Sequence, residues 1–241
     1  IIDSLKAGFA DFLARPVMSG FFGLFYAVFG ILFVWCLFWL GKVWMVLPAA
    51  IAFPLVAPFA CAGLYEISRR RQRAEPFGWR DILTVMADQR RREMGWMAFV
   101  TLFVLWIWFY QFRTLLVIIL QDSSFSDLPG FVNTVFFTAE GWTFLVIGTC
   151  VGALLSAVLF SVTVVAMPLL LDRDIDFISA TLTSIGVVRE NPRVMLTWAA
   201  IITVTMALSL VPAFLGLILT LPILGHTTWH LYQRAVSPAK G

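Results

Sequence analysis

The stretch EISRRRQRAEPFGWRDILTVMADQRRRE, residues 66–93, contains eight arginines and lies between apolar runs that are too long for a soluble core. Arginine-rich segments beside membrane helices remain in the cytoplasm, so this stretch sets the direction of every crossing around it. On that basis every lysine and arginine except Lys42 and Arg113 lies on the cytoplasmic side. The pattern therefore predicts cytoplasmic termini, cytoplasmic loops at 66–93 and 172–193, and an outer loop at 121–140.

The composition excludes a soluble domain. Of the 241 residues, 61% are hydrophobic and 13% are charged, and the mean hydropathy is +0.91. A chain of this length cannot bury so much apolar surface in its own core, so lipid must solvate it. We expect a single transmembrane domain over residues 1–241 that binds anionic lipid headgroups. Nucleic acid is not an expected partner, because the basic residues do not line a groove-sized surface.

Apolar segments of about 20 residues, enough to span hydrocarbon, predict about six transmembrane helices. The last two share residues 194–232, where a single 39-residue helix is the alternative. Pro212 and the terminal Arg234 favour a hairpin with its outer turn at Val211–Pro212. The predicted crossings cover residues 17–40, 43–65, 94–120, 141–171 and, as a pair, 194–232.

An amphipathic helix precedes each of the three predicted hairpins on the cytoplasmic side. In residues 1–15 one face carries Ile2, Leu5, Phe9 and Phe12, so this helix is expected to lie on the membrane surface. Similar periodicity occurs in residues 79–86 and 172–193. The fold class is therefore an all-α polytopic membrane protein, and the recurring pattern suggests three repeats, at residues 1–70, 71–173 and 174–236.

Several residues are candidates for contacts with lipid or with other helices. Glycines in apolar helices let a neighbour approach closely, although the pattern does not say whether that neighbour is internal or a partner subunit. Pro48, Pro54 and Pro58 predict either a structural kink or a gating element in the second crossing. Arg113 either reaches the outer headgroups or pairs with Glu140 or Asp122. The headgroup candidates are Arg69, Arg70, Arg71, Arg73, Arg90, Arg91 and Arg92, and the helix-packing candidates are Gly20, Gly23, Gly148 and Gly152.

Four motifs resemble one family of predicted bacterial integral membrane proteins of unknown function. The motifs are LYEISRR (64–70), PLLLDRDID (168–176), NPRVML (191–196) and GHTTWHLYQR (225–234), and the likeness extends from about residue 15 to 236. The resemblance implies about six helices in a bacterial inner membrane and supplies no catalytic residues. Some relatives carry labels tied to cytochrome c oxidase subunit I, which needs six histidine ligands on twelve helices. This chain has two histidines, so it cannot be that subunit, although an association with a respiratory complex stays open.

His226 and His230 lie four residues apart on the last predicted helix and therefore share one face. With Glu66, expected at the same depth, they are the low-ranked candidates for a metal or haem site. No HExxH motif or second histidine pair completes a ligand set, so no metal or cofactor is expected. The alternative interpretation is two polar residues at the inner interface, one of them hydrogen-bonded to Glu66.

Three functions fit these patterns, in decreasing order. The first is a non-catalytic accessory or assembly subunit of a larger inner-membrane complex, because no committed site is present and other membrane subunits would cover the bare helix faces. The second is a small-solute transporter or channel, because broken helices and repeats recur in transporters. The third is a membrane enzyme that uses His226 and His230.

Overall fold

The computed structural model describes residues 1–87, 91–121 and 128–236. These residues form twelve α-helices and one short 3₁₀ helix, Val43–Met45, and contain no β-strand. The helices are α1 Ile2–Ala14, α2 Pro16–Trp39, α3 Val46–Ala60, α4 Ala62–Gln72, α5 Trp79–Ala87, α6 Arg91–Leu120, α7 Leu128–Phe137, α8 Ala139–Thr163, α9 Ala166–Asp172, α10 Phe177–Glu190, α11 Pro192–Leu210 and α12 Leu217–Val236.

Five helical segments of the described chain are long and apolar enough to cross a membrane. They are Pro16–Trp39, Val46–Gln72, Glu93–Leu120, Ala139–Asp172 and Pro192–Leu210. With 20 residues, α12 is also about 30 Å long, which matches the hydrocarbon thickness of a bilayer. Its sequence is more polar because it carries GHTTWH at its centre, and the surrounding helices cover those side chains.

The proline-rich second crossing is divided at Cys61, where α3 ends and α4 begins. Pro54 and Pro58 lie inside α3. Two neighbouring helices add hydrogen bonds to this segment: Tyr26 of α2 donates to the Phe53 carbonyl, and Trp108 of α6 donates to the Pro48 carbonyl at 3.0 Å. These bonds attach the proline-rich segment to α2 and α6, but they do not reach the Ala50 and Pro54 carbonyls, which Pro54 and Pro58 leave without an N–H donor. The choice between a structural kink and a gating element stays a prediction.

The interior consists of two apolar clusters. The larger surrounds α12, which packs against α1, α2, α4, α9 and α11. The smaller lies between α3, α6, α7 and α8 and centres on Trp108, Phe112 and Phe144. Because α12 packs against five other helices, its side chains are the ones around which a site is assembled.

Helix α1 packs against the bundle with its small and polar side. Ser4, Gly8 and Asp11 are buried against the bundle, whereas Ile2 is 70% and Phe9 49% exposed. Phe12 is the member of the predicted apolar face that is buried. The reason is that lipid is as apolar as a protein core, so the apolar face can point outward while small and polar residues pack inward.

The last apolar segment is two helices and not one helix of 39 residues. Helix α11 ends at Leu210 and α12 begins at Leu217, with Ala213 and Phe214 at positive φ in the turn between them. At the other end of α12, Arg234 lies 3.3 Å from Asp3, so the first and last helices meet at one end of the bundle. We call this the basic end, because it also carries Arg69–Arg73 and Arg173.

The connection predicted as an outer loop contains a further helix, α7, whose Phe131 and Val135 are buried against α8 and the 3₁₀ helix. The three-repeat division at 1–70, 71–173 and 174–236 stays a prediction.

Candidate functional site

His226 lies at the centre of a hydrogen-bonded cluster inside the bundle. Its ring is fully buried on α12, with Nε2 3.0 Å from the Ser19 hydroxyl of α2 and Nδ1 2.7 Å from the Ser68 hydroxyl of α4. Ser68 donates its single proton to Asp11 of α1 across 2.6 Å. The Ser68 oxygen therefore accepts a proton from Nδ1, and Nε2 of the neutral ring accepts one from Ser19. This histidine links three helices directly and α1 through Ser68.

His230, one turn further along α12, extends the same cluster toward the surface. Its Nε2 is 2.8 Å from Asp11 Oδ2, and the Gln72 amide nitrogen is 3.1 Å from Nδ1. Trp229 Nε1 donates to Gln72 Oε1 at 2.9 Å, which agrees with that amide orientation. An ionised carboxylate can only accept, so Nε2 donates to Asp11 and Nδ1 accepts from Gln72. We call His226, His230, Asp11, Ser19, Ser68 and Gln72 the histidine network.

Asp11 is the carboxylate at the junction of the histidine network. Arg71 Nη1 donates to its Oδ1, while Ser68 and His230 share its Oδ2. Burial acts to raise the pKa of Asp11, but the hydrogen bonds from His230 and Ser68 outweigh it, and the pKa is lowered from its usual value. Asp11 is therefore ionised at neutral pH, and it attaches α1 to α4 and α12 through charge-assisted hydrogen bonds.

Glu66 lies away from the histidines, contrary to the partnership suggested by its expected depth. Its side chain is fully buried and accepts from Arg69 at 2.7 and 2.8 Å and from Arg70 at 2.6 Å. These arginines follow it by three and four residues, which places them on the same side of α4. Within residues 1–87, 91–121 and 128–236, no group of three or more His, Cys, Asp or Glu side chains is arranged to hold a metal ion.

A second charged cluster joins three helices at the basic end. Asp172, the last residue of α9, accepts from Tyr232 of α12 at 2.8 Å and from Arg73 beyond α4 at 3.1 Å. Glu93 accepts from the Phe177 backbone N–H at 2.8 Å and so caps the start of α10. The basic end is therefore held together by the half-buried ion pair of Arg73 with Asp172 and by the hydrogen bonds that Asp172 and Glu93 accept.

Most of the arginines predicted to bind lipid headgroups have carboxylate partners within the chain. Arg69 and Arg70 pair with Glu66, Arg71 with Asp11, and Arg73 with Asp172. Arg90 and the side chains of Arg91 and Arg92 lie outside the described residues. Part of each guanidinium remains accessible, so the role of this block at the membrane surface stays a prediction.

The four candidate glycines differ in their surroundings. A Cβ at Gly23 would lie 2.6 Å from the Leu217 carbonyl oxygen of α12, and one at Gly152 would lie 2.9 Å from the Trp108 ring. At Gly148 the nearest atom is a Leu115 methyl at 4.0 Å. At Gly20 no atom of a described residue lies within 4 Å. At Gly152, α8 therefore packs closely against α6 of the same chain. The packing roles of the four glycines toward any partner stay predictions.

Arg113 is exposed, and its guanidinium lies 6.0 Å from the centre of the Trp44 ring. This position suits the interpretation in which Arg113 reaches the outer headgroups. Of the two carboxylates proposed as its partners, Glu140 is exposed on α8 and Asp122 lies outside the described residues.

Sequence reasoning missed Asp11, Ser19 and Ser68 as partners of the histidines. One signal was present, because Ser4, Gly8 and Asp11 recur at i, i+4 and i+7 and form a small, polar stripe on α1. The assembled network anchors α1 to α4 and α12. Each polar side chain of the histidine network has a hydrogen-bond partner among the described residues.

Together, five apolar helices of spanning length and an interior closed around α12 define an all-α polytopic integral membrane protein. The model of one family, described as "Predicted integral membrane protein (DUF2189)", matches residues 45–172, which is more than half of the chain. The protein belongs to this family, whose function is unknown. The matched part includes Glu66 and Ser68, whereas Asp11, His226 and His230 lie outside it. No curated protein and no solved structure matches the chain.

Proposed function

We propose that this protein is a non-catalytic accessory or assembly subunit of a larger membrane complex, and that a transmembrane helix of another subunit binds along α6. The observation that carries this proposal is a ladder of exposed aromatic rings on α6. Successive ring centres lie 6.0 to 6.3 Å apart over about 21 Å of helix. We call this set the α6 ladder; its members are Trp96, Phe99, Phe103, Trp106 and Tyr110.

The polar atoms of the ladder are poorly suited to lipid. Trp106 is 62% and Tyr110 64% exposed, and neither the indole N–H nor the phenol O–H bonds to a described residue. Trp106 lies midway along Glu93–Leu120, a segment about 42 Å long, so it falls within the ~30 Å hydrocarbon layer at any reasonable depth. An unpaired polar group there costs about 1–3 kcal/mol, which an acceptor on a partner helix would recover.

Two comparisons within the chain support this interpretation. Trp108, two residues further along α6, is buried and donates its indole N–H to Pro48. The exposed face of α2 carries Phe21, Phe25 and Phe29, whose rings have no polar atoms and suit lipid directly. The exposed tryptophans of α2, Trp35 and Trp39, lie in its last five residues, whereas Trp106 lies midway along its segment.

We infer that the protein lies in a bacterial inner membrane with the basic end in the cytoplasm. The excess of arginine at that end supports this orientation, and the family resemblance supports the membrane. The meeting of Asp3 and Arg234 at one end supports an even number of crossings. Five apolar spans together with α12 make six crossings and leave both termini in the cytoplasm.

The test removes the polar atoms and keeps the rings. In a mild-detergent extract of native membranes, we expect the wild-type chain to migrate well above the monomer with its micelle. The double variant Trp106→Phe, Tyr110→Phe is expected to migrate as a monomer. Trp96→Phe is the matched control, because Trp96 lies near the basic end where water or headgroups can accept its N–H, and it should leave the complex intact.

A wild-type chain that is monomeric in the native extract would contradict the proposal, as would an unchanged complex in the double variant. A respiratory complex is the first assembly to examine for copurification, because the family resemblance points toward one.

A second candidate function, proton-coupled transport of a small solute, is favoured by the histidine network. Asp11 is an ionised carboxylate held inside the bundle beside two histidines, and such chains relay protons in transporters. In proteoliposomes, this function requires that an added solute change the internal pH. Ser19→Ala should reduce that change, because Ser19 is the last member of the hydrogen-bonded series, beyond His226. If the internal pH does not change with any added solute, proton coupling is excluded for the solutes tested.

A further inference from the structure

A groove opens at the basic end, between the junction of α1 and α2 and the segment that leads into α5. Its wider part, about 420 Å³, is lined by Arg15, Arg71, Glu75 and Phe77. Its narrower part, about 240 Å³, continues past Arg15 along Val17 and Trp79.

Arg15 is the polar centre of this groove. It is exposed, and its guanidinium lies 5.4 Å from the centre of the Phe77 ring. None of its N–H donors bonds to a described residue, in contrast to Arg69, Arg70, Arg71 and Arg73, which all have carboxylate partners. A guanidinium held on an aromatic face, with its donors free, is suited to a phosphate group.

The other end of the groove continues into apolar surface that faces lipid. Val17 is 79% exposed, and Phe21 and Phe25 follow it on the outer face of α2. Trp79 packs edge-on against Phe21, with ring centres 5.2 Å apart, and so forms a wall at the level where the groove meets this face. Trp is the residue that membrane proteins place at the boundary between headgroups and acyl chains.

We propose that this groove binds one anionic glycerophospholipid. Its phosphate contacts Arg15, its glycerol region lies against Trp79, and one acyl chain follows the face from Val17 to Phe25. The continuity between a free guanidinium and a lipid-facing apolar strip favours a phospholipid over a soluble anion, which would contact only the first of these features. The proposal rests on the membrane class of the protein and is independent of any partner at α6.

The test uses the full chain, purified in mild detergent, with bound lipid counted by native mass spectrometry during titration with phosphatidylglycerol or phosphatidylcholine. We expect phosphatidylglycerol to bind about tenfold more weakly to Arg15→Gln, which loses one charge-assisted contact. Arg234→Gln is the matched control, because Arg234 also lies at the basic end but pairs with Asp3 outside the groove. Its affinity should equal that of the wild type.

Three further measurements identify the ligand and guard against misfolding. Millimolar inorganic phosphate should not displace the lipid, and Trp79→Ser should weaken phosphatidylglycerol binding while Arg15 is intact. Arg15→Lys, which keeps the charge, should fold and retain part of the affinity. Equal lipid binding by the wild type and Arg15→Gln would overturn the proposal, and so would displacement by phosphate alone or equal affinity for the two lipids.

Discussion

Replacement of Asp11 by Asn should release α1 from the bundle. One oxygen of Asp11 accepts from Arg71 and the other from Ser68 and His230, so an amide NH2 at either position meets a donor. The less costly orientation turns the NH2 toward Arg71, whose side chain is 39% exposed and can turn into solvent. The remaining contacts lose their charge assistance. Hydrogen bonds to charged groups contribute about 1.5–3 kcal/mol, so we expect a loss of about 2 kcal/mol after the Arg71 contact is discounted.

Trypsin cleavage at Lys6, an exposed residue within α1, measures this release. If cleavage requires α1 to open, a loss of about 2 kcal/mol raises the cleavage rate about 30-fold. Asp3→Asn is the control on the same helix, since Asp3 and Arg234 form an exposed pair at 3.3 Å that contributes less than about 1 kcal/mol. Equal cleavage rates in the two variants would refute the assignment of Asp11 as the anchor of α1.

Three further predictions follow from other features of the fold. Gly23→Ala should destabilise the protein by about 1–3 kcal/mol, because its Cβ meets the α12 backbone, while Gly20→Ala should not lower the unfolding midpoint; equal midpoints would reject the packing argument. The pKa of Asp11 is lowered in the folded protein, so the stability that its carboxylate contributes is complete above the usual value of 3.8 and is lost as the pH falls through the folded pKa. Below pH 4, unfolding midpoints should therefore fall less steeply with pH in Asp11→Asn than in the wild type. In a cysteine-free background, Ala213→Cys should react with an impermeant thiol reagent on intact spheroplasts and Ala74→Cys only after lysis, whereas the reverse order would invert the topology.

The long apolar segments were predictable because membrane thickness demands about 20 apolar residues, a signal that survives without any tertiary information. Pro212 likewise indicated the turn between α11 and α12. Helix α7 was not predicted, because its ten residues are too few to span hydrocarbon, and only their packing on α8 distinguishes them from a loop.

The orientation of α1 was not predictable from its apolar face. Hydrophobic periodicity identifies two sides of a helix, but in a membrane either side can meet the protein. The buried side of α1 is the polar one, so Asp11 became available to His230 in place of Glu66. Glu66 forms salt bridges with Arg69 and Arg70. The sequence could have indicated this, because opposite charges three and four residues apart on a helix pair with each other.

The GxxxG motif also shows that a sequence pattern can predict a helix contact without identifying the helix in contact. Gly148 and Gly152 predicted a close helix contact, and one exists at Gly152, but only the fold identifies Trp108 of the same chain as the neighbour. Because Gly152 packs within the chain, it carries no argument for a partner subunit. The α6 ladder carries that proposal, because it becomes visible only when the exposed positions of α6 are known.

Photocrosslinking in native membranes tests the central proposal most directly. A benzophenone amino acid in place of Trp106 should give a discrete adduct with a membrane polypeptide after irradiation. The same group in place of Phe25, on the lipid-facing side of α2, should give lipid adducts and no protein band. Lipid adducts alone at both positions, or the same protein adducts at both, would contradict a partner helix at α6.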